Sequence, residues 1–283
     1  LIYMWQRGIA EGNRCGCGEP FQQCPFWQEV LAAAFGGSQE VHAARVAQLR
    51  AAVDRARFIP LLLAPSLRPA FRAQVDEYVT YCTRIYDAVR GVSGCEVIAD
   101  ASKAPSLAFC LRSSRGVDLR VVHVVRDSRA VAYSWTRKVP RGEKTGPKYM
   151  ATVRPTRTAG QWNYHNAALQ LLAATGTPTL RVRYEDLVAR PYETFAEIAQ
   201  FTGVPPGPEQ LSFIGADEDG SWADLGVAHI PSGNRMRFQT GRIPIRLDDE
   251  WRASMLATDR RTVTALTLPL LRHYGYLPQG MQT

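Results

Sequence analysis

The chain has little of what would mark a membrane protein or a disulfide scaffold. No apolar run approaches the roughly 20 residues that a membrane-spanning helix needs. The longest, residues 59–64, contains Pro60 and is followed by Pro65. No integral membrane segment is expected, and with no visible signal peptide the expected location is cytoplasmic. The six cysteines among 283 residues are too few and too unevenly spread for a secreted framework. Cys82, Cys95 and Cys110 stand in apolar surroundings and read as small core residues. Internal repeats and low-complexity tracts are missing. So is the Gly-x-x-x-x-Gly-Lys-Ser/Thr signature that would cradle a nucleotide's phosphates.

What is present reads as an ordinary globular chain with a basic balance. Hydrophobic residues make up 46% and charged residues 21%, with a net charge of +8. Such a charge suits a polyanionic ligand and leaves nucleic acid, a membrane surface and a nucleotide cofactor open. The basic residues are spread along the whole chain without an aromatic-studded basic face, so no nucleic-acid partner is expected.

Residues 1–10 read as part of a helix and residues 12–25 as a loop rich in Gly and Cys. Alanine-rich helices follow at 26–35, 38–57 and 69–92. The rhythm then changes. Residues 96–99 read as a short buried strand, and Asp100, Ser102 and Pro105 supply the start signals of a helix. Residues 119–125 form an almost wholly apolar, β-branched run, as expected of a strand buried on both faces of a parallel sheet. Helices at 127–137, 156–174 and 192–202 and a strand at 179–184 complete the βαβ alternation. Between them lies a loop at 138–155 full of Lys, Arg, Gly and Pro. Ligands of such sheets bind at the carboxyl ends of the strands. The positions to inspect are therefore 100–103, 126–134 and 184–186.

Arg126 ends the apolar strand, and Ser134 follows eight residues later, about two helical turns on. A guanidinium fork suits a phosphate monoester, and Ser adds a hydroxyl donor. The same residues fit a plainer reading, in which Arg126 pairs with Asp127 and Ser134 faces solvent. Tyr184 can be an ordinary packed aromatic, with Glu185 and Asp186 capping the next helix. Lys103 can be a solvated lysine, although a helix start disfavours a cation. Gly233 and Asn234 permit the unusual backbone angles of an anion-binding nest, flanked by Arg235 and Arg237; a plain turn fits them as well.

Taken together, these segments resemble the sulfotransferases that use 3′-phosphoadenosine 5′-phosphosulfate (PAPS). In that family an Arg at a strand end is followed eight positions on by a Ser, here Arg126 and Ser134. Arg183-Tyr184-Glu185-Asp186-Leu187 resembles a strand-end motif whose tyrosine lies near the adenine. The late segment from Ser232 to Phe238 resembles the loop that closes over the 3′-phosphate. The resemblance implies an α/β, P-loop NTPase-like fold, with a central parallel sheet flanked by helices. It also implies a single domain over 1–283, with a helical insertion at 26–92 and a nucleotide-binding core at 95–275. PAPS is the implied sulfuryl donor. Arg126, Ser134, Lys138, Tyr184, Gly233, Asn234 and Arg235 would bind it, and Lys103 would lie close to the transferring group. The implied partner is a small-molecule or glycan acceptor bearing a hydroxyl.

The largest departure from the family is the missing Ser/Thr/Gly-rich loop for the 5′-phosphosulfate. The resemblance places it, its strand and a general base upstream of Leu1, so this stretch of chain by itself is expected to be inactive. A P-loop kinase-like phosphotransferase is the nearest alternative, and a basic nucleic-acid-binding module the next.

Cys15, Cys17 and Cys24 could be three zinc ligands, but no fourth stands at standard spacing, and His42 and His123 are poor candidates. No metal is therefore expected. A disulfide involving Cys24, or a loop packed under Phe26 and Trp27, is the preferred reading. The Cys-Gly-Cys-Gly segment also resembles one in bacterial sulfotransferases, where it implies an acceptor-side element or a brace.

Overall fold

The computed structural model describes residues 4–37, 39–114, 116–140, 149–204, 207–233 and 235–277. The chain divides into two compact units. One comprises Leu1–Leu119 and Leu225–Gly241, the other Arg120–Asp224 and Arg242–Thr283.

The first unit is helical. A π-helical segment at Met4–Ala10 precedes α1 (Pro25–Phe35), α2 (Gln39–Val53), α3 (Ile59–Leu63), α4 (Pro69–Ser93) and α5 (Pro105–Leu111). Helix α4 shows why the boundaries fall where they do. Pro69 opens it, where a missing N–H costs nothing, and Gly94 closes it at φ +68°, an angle that a side chain would strain. Its buried stripe is Val75, Tyr78, Val79, Cys82, Ile85 and Ala88, the three-to-four spacing of a helix with one apolar face. Helices α1 and α2 pack on it. The buried carboxylate of Asp54 is answered by two hydroxyls, Tyr78 Oη at 2.8 Å and Ser106 Oγ. A buried polar group is tolerable only when so paired.

The second unit holds the parallel sheet. Strands β1 (Val121–Val125) and β2 (Thr179–Arg183) pair in parallel, with Val125 opposite Arg183. Helices α6 (Ser128–Thr136) and α7 (Pro155–Ala174) lie between them in sequence. After β2 come α8 (Tyr184–Ala189) and α9 (Pro191–Thr202). A three-stranded sheet follows, in the order β3 (Ile214–Asp217), β4 (Gly220–Leu225), β5 (Gly241–Pro244). The antiparallel β3–β4 hairpin sets Gly215 opposite Trp222. The indole fills the space that a side chain at Gly215 would need, and Arg242 lies 4.1 Å from its ring centre. Helices α10 (Trp251–Ser254) and α11 (Ala257–His273) end the described chain, and α11 packs on α6 and α7. No helix among the described residues is long and apolar enough to cross a membrane.

Two expectations need correction. Residues 96–99 form no strand and are largely exposed, with Val97 43% accessible. A strand exists only where a neighbour accepts its ladder, and none does so among the described residues. Strand β1 is not buried on both faces. His123 and Val125 point inward, whereas Val124 is 53% exposed. The antiparallel sheet and α11 were not anticipated at all. The expected basic loop falls largely on residues 141–148, outside the described residues.

Inside the second unit, His123 Nε2 lies 2.9 Å from Asn166 Oδ1, while the Asn166 amide donates to the Trp162 carbonyl at 2.7 Å. The amide's orientation fixes the tautomer, so Nε2–H donates. Burial lowers the His123 pKa below its usual value of 6.5, opposed by the Asn166 hydrogen bond.

Two tests follow from these buried polar groups. Removing Asp54 strands two hydroxyls, so Asp54→Ala should lower stability by about 2–4 kcal/mol, read from the urea midpoint. For His123 the unfolded state binds the proton more readily than the folded state. Its contribution is therefore present above pH ~6.5 and is lost as pH falls through the lowered folded value. The drop in melting temperature from pH 7.5 to 5.5 should be smaller in His123→Gln than in the parent protein.

Candidate functional site

Parallel register brings two of the sequence-derived residues together. Because Val125 pairs with Arg183, the next residues, Arg126 and Tyr184, emerge side by side at the carboxyl ends of β1 and β2. The Arg126 guanidinium lies 4.5 Å from the Tyr184 ring centre, a cation–π contact. Its Nη2 donates to the Asp248 carbonyl at 2.6 Å and lies 3.1 Å from Asp248 Oδ2. Arg126 Nε is buried without a hydrogen-bond partner. The Tyr184 hydroxyl accepts from the Asp248 N–H at 3.3 Å and donates to the Arg246 carbonyl at 3.4 Å.

Arg126 is not paired with Asp127, as the plainer reading had it. Asp127 caps α6, accepting the Arg129 N–H at 2.8 Å, and both its oxygens are taken by the Arg129 guanidinium at 2.9 and 2.6 Å. Glu185 does not cap α8 either. Its carboxylate accepts from Tyr276 Oη at 2.6 Å and from the Asp127 N–H at 3.4 Å. Burial, and then the Glu185 hydrogen bond, push the Tyr276 phenol well above its ordinary pKa, so it stays a proton donor. Arg183 lies over the Tyr276 ring at 4.6 Å. Burial works against its charge, but Tyr276, Asp186 and Glu185 more than restore it.

These groups line a cavity of about 220 Å³, together with Arg129, Asp249, Trp251 and Arg252. Its wall carries Asp127, Glu185, Asp248 and Asp249 against Arg129, Arg183 and Arg252. With acids outnumbering bases it offers a phosphate no net attraction, and it is better explained as an ion-pair network holding the strand ends. The anion-seeking group is Arg126 beside it.

Ser134 lies half-buried on α6, and its hydroxyl makes no hydrogen bond among the described residues. Lys138 is exposed beyond the end of α6.

In the first unit, Lys103 is exposed and has φ +58°. It is the one residue other than glycine in the left-handed region among the described residues. The preceding turn fixes it there, since Asp100 accepts from the Ser102 N–H at 2.8 Å, from the Ser102 hydroxyl and from Tyr86 Oη at 2.7 Å. Strain held in this way often marks a working position. Gly233 has φ +153°, and its carbonyl accepts from Arg237 Nη1 at 2.7 Å. Arg237 is buried and Arg235 exposed, so the arginine that organises this loop is the later one. Asn234 lies outside the described residues.

One cluster overturns an expectation. The three clustered thiols do have a fourth donor, His229, whose Nδ1 lies 3.3 Å from Cys24 Sγ and 3.8 Å from Cys15 Sγ. The four ligand atoms lie within 4.8 Å of one another. All of these cysteines are free thiols, so the expected disulfide at Cys24 is not formed. His229 was missed because 204 residues separate it from Cys24 in sequence (229 − 24 − 1), and no spacing rule spans such a gap. Asp248 was missed for the same reason.

No curated protein and no solved structure matches the chain. Residues 100–216 match the family model described as the sulfotransferase domain, a stretch that includes Lys103, Arg126, Ser134, Lys138 and Tyr184 and excludes the Cys/His cluster and the Gly233 turn. That match covers 117 of the 283 residues (216 − 100 + 1), the stretch where most of the candidate residues stand, and supports a sulfotransferase domain there.

Proposed function

We propose that this protein transfers a sulfuryl group from PAPS to the hydroxyl of a small-molecule or glycan acceptor. The observation that carries this reading is the pairing of Arg126 and Tyr184 at adjacent strand ends, where open α/β sheets bind their ligands. When bound, the donor supplies an activated sulfuryl group; the protein's task is to hold and neutralise it.

The residues of the second unit fit a nucleotide bearing a 3′-phosphate. Arg126 keeps an unpartnered buried Nε for an anion, and Ser134 keeps a free hydroxyl. Tyr184 offers a flat aromatic surface for adenine, and Lys138 adds charge beyond α6. Asp248 now occupies the Arg126 fork with its own carboxylate. A phosphate must displace or share that contact, which makes Asp248 a built-in competitor. Gly233, Asn234 and Arg235 are proposed to bind the cofactor through backbone donors and charge, as the family resemblance implies. Lys103 is proposed to stabilise negative charge as it grows on the leaving oxygen. A positioned cation acts there without a proton transfer.

Two tests, both made on the full-length enzyme, separate these roles. In calorimetry with adenosine 3′,5′-bisphosphate, Arg126→Ala should weaken binding by about 1.5–3 kcal/mol, the range for hydrogen bonds to charged groups. Asp248→Asn should strengthen it by removing the competing charge. Unchanged affinity in Arg126→Ala overturns the assignment. Lys103→Asn removes the charge while keeping a residue that tolerates the left-handed backbone. It should lower turnover on the order of 100-fold with bisphosphate affinity nearly unchanged. A variant with full turnover excludes Lys103 from the chemistry.

A further inference from the structure

We propose that Cys15, Cys17, Cys24 and His229 form a structural zinc site. The first two ligands sit on a tight hairpin. Residues Arg14 and Pro20 form an antiparallel bridge, the Glu19 carbonyl accepts the Cys15 N–H at 2.8 Å, and the Cys15 carbonyl accepts the Gly18 N–H at 2.9 Å. The turn thus folds back over Cys15 and aims two thiols one residue apart at a common point. The third ligand, Cys24, is the residue immediately before α1.

The fourth ligand arrives on the late segment, and the hairpin is shaped to receive it. The Gly16 N–H donates to the Ile230 carbonyl at 3.0 Å. A Cβ on Gly16 would fall 2.1 Å from the Ala228 carbonyl oxygen, so only glycine lets the two backbones meet. The His229 ring and its backbone are each held. The ring stacks on Phe26 with centroids 4.8 Å apart and planes at 16°, and the His229 carbonyl accepts from Trp27 Nε1 at 2.9 Å. Glycine between the cysteines, the tryptophan and the phenylalanine therefore all serve to present one imidazole nitrogen to three sulfurs.

The spacing of the ligand atoms suits the metal. Bonds of about 2.3 Å to sulfur and about 2.05 Å to nitrogen, directed tetrahedrally, set sulfurs ~3.8 Å apart and sulfur–nitrogen pairs ~3.6 Å apart. Cys17 and Cys24 sulfurs lie 3.7 Å apart, and the Nδ1 distances are 3.3 and 3.8 Å. Three thiolates with one imidazole are a donor set that selects zinc over hard cations. Four protein ligands close the coordination sphere, which makes the site a brace and not a catalytic centre. Cys15 and Cys24 are fully buried, and Cys17 and His229 partly so, leaving a side from which an ion can enter. Binding releases the three thiol protons to solvent as the ion takes their place.

The test is metal analysis of the full chain purified under reducing conditions. One zinc per chain is expected by elemental analysis, and cobalt substitution should give the visible absorption of a tetrahedral thiolate site. Cys17→Ser and His229→Gln should each lower metal affinity roughly 10–100-fold, while Cys95→Ser, on an exposed thiol outside the cluster, should retain full content. Because ligand variants can misfold, a second readout uses the unaltered protein. Three thiols should react slowly with a thiol reagent and become fast on adding a chelator, with zinc released in step. Zinc at background in the reduced protein overturns the site. So does a Cys17–Cys24 disulfide that forms without reductant and excludes metal, or reactivity of these thiols that ignores the chelator.

Discussion

Asp127 is almost wholly out of water at the point where β1 turns into α6. A buried carboxylate needs a cation or several donors, and leaving it alone would cost several kcal/mol. Arg129 meets that need from within the same turn, using its backbone N–H and both arms of its guanidinium. Much else depends on this choice of partner. Since Arg129 satisfies Asp127, Arg126 is left over, and its head turns to Tyr184 and Asp248 at the next strand end. Had Arg126 paired with its sequence neighbour, its guanidinium would not lie over the Tyr184 ring at the next strand end.

The same economy runs through the surrounding charges. Tyr276 ties the Val125 carbonyl and the Glu185 carboxylate, and Glu185 in turn accepts the Asp127 N–H. The two strand ends are thus joined by hydrogen bonds beyond their own ladder. A sheet of two parallel strands gains little from pairing alone. This network and the packing of α11 on α6 and α7 hold the strand ends at fixed spacing. Rigid placement of a few donors, more than their number, is what a phosphate-binding turn requires.

Local signals were legible in the sequence, and distant ones were not. The helices announce themselves because proline at the first turn and an apolar stripe act within a few residues, as Pro69 and the stripe of α4 do. Arg126 could be picked out because it directly follows the β-branched run 121–125, and Tyr184 because it stands at the end of a strand-like stretch in a segment that resembles a family motif. By contrast, the β3–β4 hairpin has short strands containing Gly215, Asp217 and Asp224, with little alternation to read. Residues 96–99 carry the composition of a strand, but composition cannot say whether a neighbour pairs with them. Asp248 and His229 act across more than a hundred residues of intervening chain, and nothing near them in sequence hints at their partners. Glycine between Cys15 and Cys17 was the one local hint of a close approach, and its meaning emerges only with Ala228 beside it.

The first unit is assembled from two separated stretches, with Arg120–Asp224 inserted between them. On the ribosome this ordering has a temporal meaning. Cys15, Cys17 and Cys24 are exported long before His229. The 205 residues that follow Cys24 up to and including His229 (229 − 24) take roughly 10–40 s to synthesise at 5–20 residues per second. For that interval the nascent chain exposes three neighbouring thiols with no imidazole to complete the set. An oxidant that reached the chain in that interval would join Cys17 and Cys24 before their partner arrives, whereas under reducing conditions the thiols wait as thiols.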